Sequence, residues 1–485
     1  MRIFHFRFLW FALLSGMSTG GSAEAAETAE AKRPITHETL WLLKQVGAPI
    51  ASPDGRSVVV AVTQPAYDEK DETADLWIVP GDGSAPPRRL TTANGKEASP
   101  AWSPDGTQLA FSAKREGDES AQIYIIAVNG GEARRLTQLT LGARTPQWSP
   151  DGTTILFQAP VHRGATNDAA NKALAEERKK AKSKVRLYDG FPIRRWDKWL
   201  DGVQTHLFVI AADGSKPARD LLAGTQLVGR KGFNGVFGEG ASDNLQPAWA
   251  PDSQSIVFTA TTNLDAAAHA EVIHHLYEVN LSGEEPRSLT KGDLSHEKPG
   301  FSPDGKRLSF LTTANKGRYY ALDRLAVAPW PWNGTVTSVA PSFDRSVADV
   351  AFSPDSRTLY FSAEDGGRVR IWSAPANGGE ARLAVDAPQG VWGAFSIPEK
   401  ATTSLLFANW EAAHSPGECY RVELGNWQRT RLTGFNNEAV AAIDWAALRE
   451  FWSTNKAGHG IHSFIVLPPG FDESKKYPLF VLIHG

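Results

Sequence analysis

Six aspartates recur along this chain at near-regular spacing: Asp54, Asp105, Asp151, Asp252, Asp304 and Asp355. Evenly spaced carboxylates are what a calcium-binding repeat would need. Each, however, sits inside a turn phrase, where an aspartate already bonds its own backbone. The reading is therefore a structural carboxylate, and no metal site is expected. The one cysteine, Cys419, lies in an apolar strand context. It reads as a buried, inert thiol, since reactive thiols need electropositive, exposed surroundings. Glu176, Glu177, Arg178, Lys179, Lys180, Lys182 and Lys184 form a dense charged run. A basic run of this kind can hold nucleic acid, but a solvated helix face is its ordinary reading. His459, His462 and His484 lie near the end of the chain. Past the first 26 residues no Gly-x-Ser-x-Gly occurs; the one such string, Gly16 to Gly20, falls in the leader described below.

The turn phrase points to what must position these groups. An aromatic or apolar residue, then Ser-Pro-Asp-Gly, precedes a short apolar strand. Trp102-Ser103-Pro104-Asp105-Gly106 and Trp148-Ser149-Pro150-Asp151-Gly152 are the fullest copies. Proline presets φ, aspartate closes the turn and glycine accepts positive φ. A second hairpin follows in several copies, as at Leu76–Thr91, Leu276–Thr290 and Ile371–Leu383. Each unit thus offers four strands. The Ser or Ala positions, from Ser52 to Ser396, fall 51, 46, 101, 52, 51 and 43 residues apart. Four strands per unit at that period predict an all-β fold, a β-propeller of about seven blades over residues 45–433. The long gap is read as one blade carrying a helical insertion at about 161–203. Ala169 to Lys184 is Ala-rich, charged and free of Gly and Pro, as a helix requires.

The chain has 485 residues and a net charge of −3. That balance gives no basic face for nucleic acid. Arg2 and Arg7, an apolar run from Phe8 to Leu14, and small residues up to Ala26 read as a signal peptide at 1–26. A lead-in at 27–44 follows. No later segment has the roughly 18 apolar residues of a membrane span. The expectation is an exported protein, periplasmic or secreted, without a stable membrane anchor after cleavage. A lone cysteine rules out an intramolecular disulfide, so stability must come from packing.

After Thr433 the repeat stops. Residues 434–485 read as the beginning of a different domain. His462–Leu467 alternates as a strand, and Leu479–Ile483 is a continuous apolar run of the kind buried on both faces of a sheet. A propeller with this turn phrase, followed by IHSFIVLPPGFDESKKYPLFVLIHG, resembles the prolyl oligopeptidase family of serine peptidases. It is most similar to the bacterial dipeptidyl aminopeptidase and acylaminoacyl-peptidase branch. Arg186–Val209 is also similar to a stretch of that branch.

The resemblance implies an α/β-hydrolase domain beginning at 434–485, with nucleophile, acid and base lying beyond this chain. His484 and Gly485 would then belong to the oxyanion loop, because a His ahead of the nucleophile is not the base of such a domain. The reaction implied is cleavage of short peptides, with no cofactor, and with the propeller as a size filter. An aminopeptidase-type member would also grip the substrate's ammonium with carboxylates. Glu176, Glu177, Asp189, Asp197 and Asp201, in or beside the insertion, are the expected candidates. Arg194, Arg195, Trp196 and Trp199 could line an entrance, although a Trp in a blade core is the plainer reading. By itself this chain is expected to be inactive. The alternative is a TolB-like exported propeller that binds protein partners or acts as a scaffold.

Overall fold

In a computed structural model, residues 32–482 are described, except 184, 187, 189, 196, 201, 238–242, 315–320 and 447. The signal peptide, Asp189, Trp196, Asp201, His484 and Gly485 lie outside the described residues. The described part of the chain forms a ring of seven four-stranded antiparallel sheets. Blade 1 uses Gln45–Val46, Ser57–Gln64, Thr73–Pro80 and Arg88–Arg89, with Ile50–Ala51 as a second segment of its inner strand. Blades 2 to 7 follow at 97–135, 144–220, 248–288, 295–338, 347–385 and 390–431. The long gap is one blade. Its second strand, Thr154–His162, pairs directly with its third, Val203–Ala211, and the insertion loops out between them. Within that insertion, helix Asp168–Lys180 is capped by Asn167, whose side chain accepts from Ala170 N at 2.9 Å.

The turn phrase explains the first hairpin of each blade. In blade 2 the Ser103 hydroxyl donates to Asp105 at 2.5 Å and accepts from Gln108 N at 2.9 Å. The same two bonds recur at Ser52, Ser149, Ser302 and Ser353. The hydroxyl of Ser103 and the N–H of Thr107 hold the Asp105 carboxyl below its ordinary pKa. The aspartates are therefore committed to their turns. In blades 4 and 6 a serine replaces the glycine, with φ of +59° at Ser253 and +61° at Ser356. Each accepts a backbone N–H from the preceding blade's turn, at Asp151 and Asp304. That bond offsets the strain of a side chain in the left-handed region.

Blades are joined by apolar seams. The Val59, Leu109 and Phe111 seam joins blades 1 and 2, and the Val58, Leu405, Phe407 and Cys419 seam joins blade 7 to blade 1. Trp102, Trp148 and Trp249 each donate their indole N–H to a carbonyl on the preceding blade's inner strand. Closure uses packing, side chains and a turn-to-turn backbone bond from Lys400 N to Pro53 O at 2.8 Å, and each blade takes its four strands from contiguous sequence. Asn409 donates to Val46 O and Gly47 O, and Asn436 bonds both Lys44 N and Lys44 O. Cys419 is fully buried in this seam, and burial pushes its thiol pKa up. It is a packing residue.

Beyond the ring, Ile443–Asp444 pairs in parallel with Arg33–Pro34. Leu448–Thr454 and Gly460–Val466 form a hairpin. The strand expected from Leu479 is not formed: 479–482 has no strand partner among the described residues. Leu479, Phe480, Val481 and Leu482 are all largely exposed. A strand exists only by pairing, so an apolar run without neighbours stays irregular.

Candidate functional site

Strand direction sorts the loops onto two faces. The Ser-Pro-Asp turns join first to second strands and lie on one face. The loops between second and third strands, and the connections between blades, lie on the other. Both ends of the ring, the blade 3 insertion and the 448–466 hairpin all emerge on this second face.

A cavity opens there, a space of about 760 Å³ over blades 5, 6 and 7. Its wall carries Glu297, Asp323, Asp344, Asp349, Glu364 and Asp365 against Lys298 and Arg345. Asp365 is already neutralised. Arg345 donates to it through Nε at 2.9 Å, and Arg370 reaches its other oxygen. Glu297 stands 3.0 Å from His274 Nδ1, and Lys298 donates to Ala348 O at 3.1 Å. Asp349 and Glu364 have no cationic partner among the described residues. Uncompensated carboxylates in a concave wall form a site for a cation, best an ammonium that can donate several hydrogen bonds. Behind Glu297, burial and the neighbouring His275 push His296 down to about 4, so it stays neutral.

The inner strands beneath the cavity are bulged at matching places, between Glu297 and Gly300, Val347 and Val350, and Trp392 and Phe395. A bulge re-aims a side chain and bends the strand. At Lys298 the backbone is left-handed, with φ +54°.

The 448–466 hairpin sits on the rim beside the cavity. Arg368 of blade 6 pairs with Glu450. Phe464 lies over Gly367, where a Cβ would come 2.4 Å from the ring. Gly367 also has φ +72°, so both the contact and the turn require glycine. His462 stacks on Trp452 with centroids 4.5 Å apart. It is a strand residue, and His459 is exposed in the turn.

Of the carboxylates expected from the sequence, the described Glu176, Glu177 and Asp197 do not line this cavity. Glu176 and Glu177 are exposed on the insertion helix, Glu176 within 3.8 Å of Lys180. Asp197 is exposed beside Lys198 at 3.5 Å. Trp199 is no blade-core residue. It lies on the small hairpin Arg194–Arg195 with Lys198–Trp199 and is 43% exposed, because the insertion stands clear of the sheets. The cavity acids escaped sequence reading because they come from two blades and the connection between them. Their one local signal is an acid a few residues ahead of the turn phrase, as Glu297 precedes Phe301 and Asp349 precedes Phe352.

Known proteins agree with this architecture. Residues 71–186 match the Tricorn protease N-terminal β-propeller domain. The chain is 27% identical over 454 residues to dipeptidyl-peptidase 5 of Porphyromonas gingivalis, covering 93% of this chain and 63% of that protein. It is 26% identical over 343 residues to dipeptidyl-peptidase 5 of Aspergillus fumigatus, covering 62% of this chain and 44% of that one. The acylaminoacyl peptidase of Pyrococcus horikoshii superposes with a TM-score of 0.65 at 17% identity, over 91% of this chain and 60% of its own. The propeller domain of the Trilobed protease from Pyrococcus furiosus, described as having an open velcro topology, gives 0.52 at 13% identity, over 81% and 97%. The chain thus spans less than two thirds of the dipeptidyl peptidases it matches. The resemblance to prolyl oligopeptidase family peptidases, read from the motifs, is borne out.

Proposed function

We propose that this chain is the propeller portion of an exported serine peptidase that cleaves short peptides, of dipeptidyl or acylaminoacyl type. The observation that carries the reading is the match to a dipeptidyl peptidase along 93% of the chain. In this reading residues 1–26 are a cleaved signal and the protein works in the periplasm or outside the cell. Residues 434–485 begin an α/β-hydrolase domain on the second face, and its Ser-Asp-His triad is supplied by sequence beyond Gly485. His484 and Gly485 then contribute to the oxyanion loop.

The cavity on blades 5 to 7 is where the peptide's amino end would sit. Asp349 and Glu364 would take its ammonium, while Arg345 and Arg370 keep Asp365 fixed as part of the wall. The paired strands of blade 6 place the backbone of both acceptors before the substrate arrives. Substrates too wide for the propeller would not reach them.

The test is a pair of proteins. The 27–485 chain should neither turn over dipeptidyl or acyl-aminoacyl chromogenic substrates nor label with a fluorophosphonate. The same reading frame continued past Gly485, through a Gly-x-Ser-x-Gly turn, should do both. Turnover by the 27–485 chain that is abolished by mutating one of its own serines would refute the assignment.

A further inference from the structure

The blade 3 insertion holds a cation that nothing yet described uses. Arg195 lies on the small hairpin whose register pairs Arg195 with Lys198. Its guanidinium carbon stands 4.5 Å over the Phe237 ring. Its Nη1 is buried and has no hydrogen-bond partner. The Tyr188 hydroxyl on the same insertion is likewise buried without a partner. Tyr188 stacks on Trp199 at 6.3 Å, and the guanidinium carbons of Arg186 and Arg194 stand 5.6 and 6.0 Å from that ring. No carboxylate among the described residues pairs with Arg194 or Arg195.

A buried donor left unbonded is costly, and more so when it is charged. Two such donors on one insertion are explained if a ligand completes them. A planar guanidinium held on aromatic faces matches a carboxylate, which can take two parallel N–H bonds. Position supports the same ligand. The insertion emerges on the face where the acidic cavity opens. In a ring of seven, blades 6 and 7 are the farthest from blade 3. The acidic wall, on blades 5 and 6, and the arginine hairpin of blade 3 therefore rise from different parts of that face. A molecule that satisfies both carries a cation at one end and an anion at the other.

We infer that Arg195, with Arg194 and Tyr188, forms a carboxylate-binding site for the far end of a short peptide whose amino end lies in the cavity. The inference rests on the peptide reading of that cavity. The carboxylate comes from the peptide's C-terminus or from an acidic side chain.

Isothermal titration of the chain with Gly-Ala-Phe and with its C-terminal amide tests this. The free acid should bind about tenfold tighter, the value of one charge-assisted bond. Arg195→Gln should equalise the two without changing the melting temperature, and Arg195→Lys should keep part of the preference. Gly-Glu-Phe amide separates the sources: affinity equal to the free acid's assigns the side chain, and affinity like the plain amide's assigns the C-terminus. The N-acetylated pair separates the two readings. A preference for acid that survives acetylation, with no loss of affinity on acetylation, leaves this site standing and removes the ammonium role of the cavity. Equal affinity of acid and amide for the unmodified chain overturns this inference alone. No binding by any of these peptides overturns both.

Discussion

The ring and the segment after it use the same kind of sequence with opposite results. Val58, Val59 and Val60 are fully buried, and so is Phe407 on the opposite side of the closing seam. Leu479, Phe480, Val481 and Leu482 are an equally apolar run, yet Leu482 is 97% exposed. In the hairpin between them, Phe451 and Trp452 also face solvent. The difference is the neighbour. Each blade covers the next, and blade 7 covers blade 1, so every strand of the ring has partners. An apolar run states that a residue is to be buried; only the surrounding topology decides whether it is.

Removing side chains should break or sharpen this contrast. Phe407→Ala should cost about 3–5 kcal/mol, because it opens a cavity in the closing seam. Phe451→Ala in the hairpin should change the melting temperature hardly at all. Chemical denaturation of both variants checks the pair, and equal losses would erase the distinction.

Truncation sharpens it further. Phe435 packs edge-on to Trp77 at 5.0 Å, Asn436 ties down Lys44, and Ile443 is buried. Residues 435–444 therefore serve the ring, although the repeat in the sequence stops at Thr433. Cutting after residue 446 should leave stability unchanged and raise solubility, since exposed apolar surface is removed. Cutting after 433 should cost about 3 kcal/mol, from one buried aliphatic and lost cap bonds. Thermal melts and light scattering on the two truncations read both effects.

The third contrast is within the ring and concerns acid. Burial pushes His296 from 6.5 down to about 4. Between those values the unfolded chain binds a proton there and the folded chain does not. Stability therefore rises with pH across that window and is lost as pH falls through it. The loss should be on the order of 3 kcal/mol by pH 4. His296→Gln should flatten that part of the pH–stability curve, measured by urea unfolding at several pH values. The smallest effect belongs to the turns. Ser103→Ala removes two hydrogen bonds from a half-exposed hairpin and should cost about 1 kcal/mol.

What the sequence made legible was local. Ser-Pro-Asp-Gly dictates its own hairpin, so the blade number followed from its spacing. The Ala-rich stretch decided that the long gap is one blade. Blade 4 shows how much the phrase can vary: Ala250 replaces the serine and Ser253 the glycine, yet the hairpin between Trp249 and Ile256 forms. The candidate site was not legible, because Glu297, Asp349 and Glu364 meet only when blades 5 and 6 stand side by side. Acids close in sequence, such as Glu176 and Glu177, attract attention on one helix and remain in solvent. Arg195 is the intermediate case. Its neighbours Arg194 and Trp199 stand out in the sequence, but its buried, unbonded nitrogen is a fact of packing.

The central claim is that the acidic wall over blades 5 to 7 receives a peptide's amino end. It is tested most directly by titrating the chain with Gly-Phe amide and N-acetyl-Gly-Phe amide across pH 6 to 9, alongside Asp349→Asn and Glu364→Gln. The account predicts that the free amine binds tighter by about tenfold at pH 6. The advantage should fade as the α-amino group loses its proton near pH 8, and should shrink in both variants. Equal binding of the two peptides at every pH, unchanged by either substitution, would contradict it.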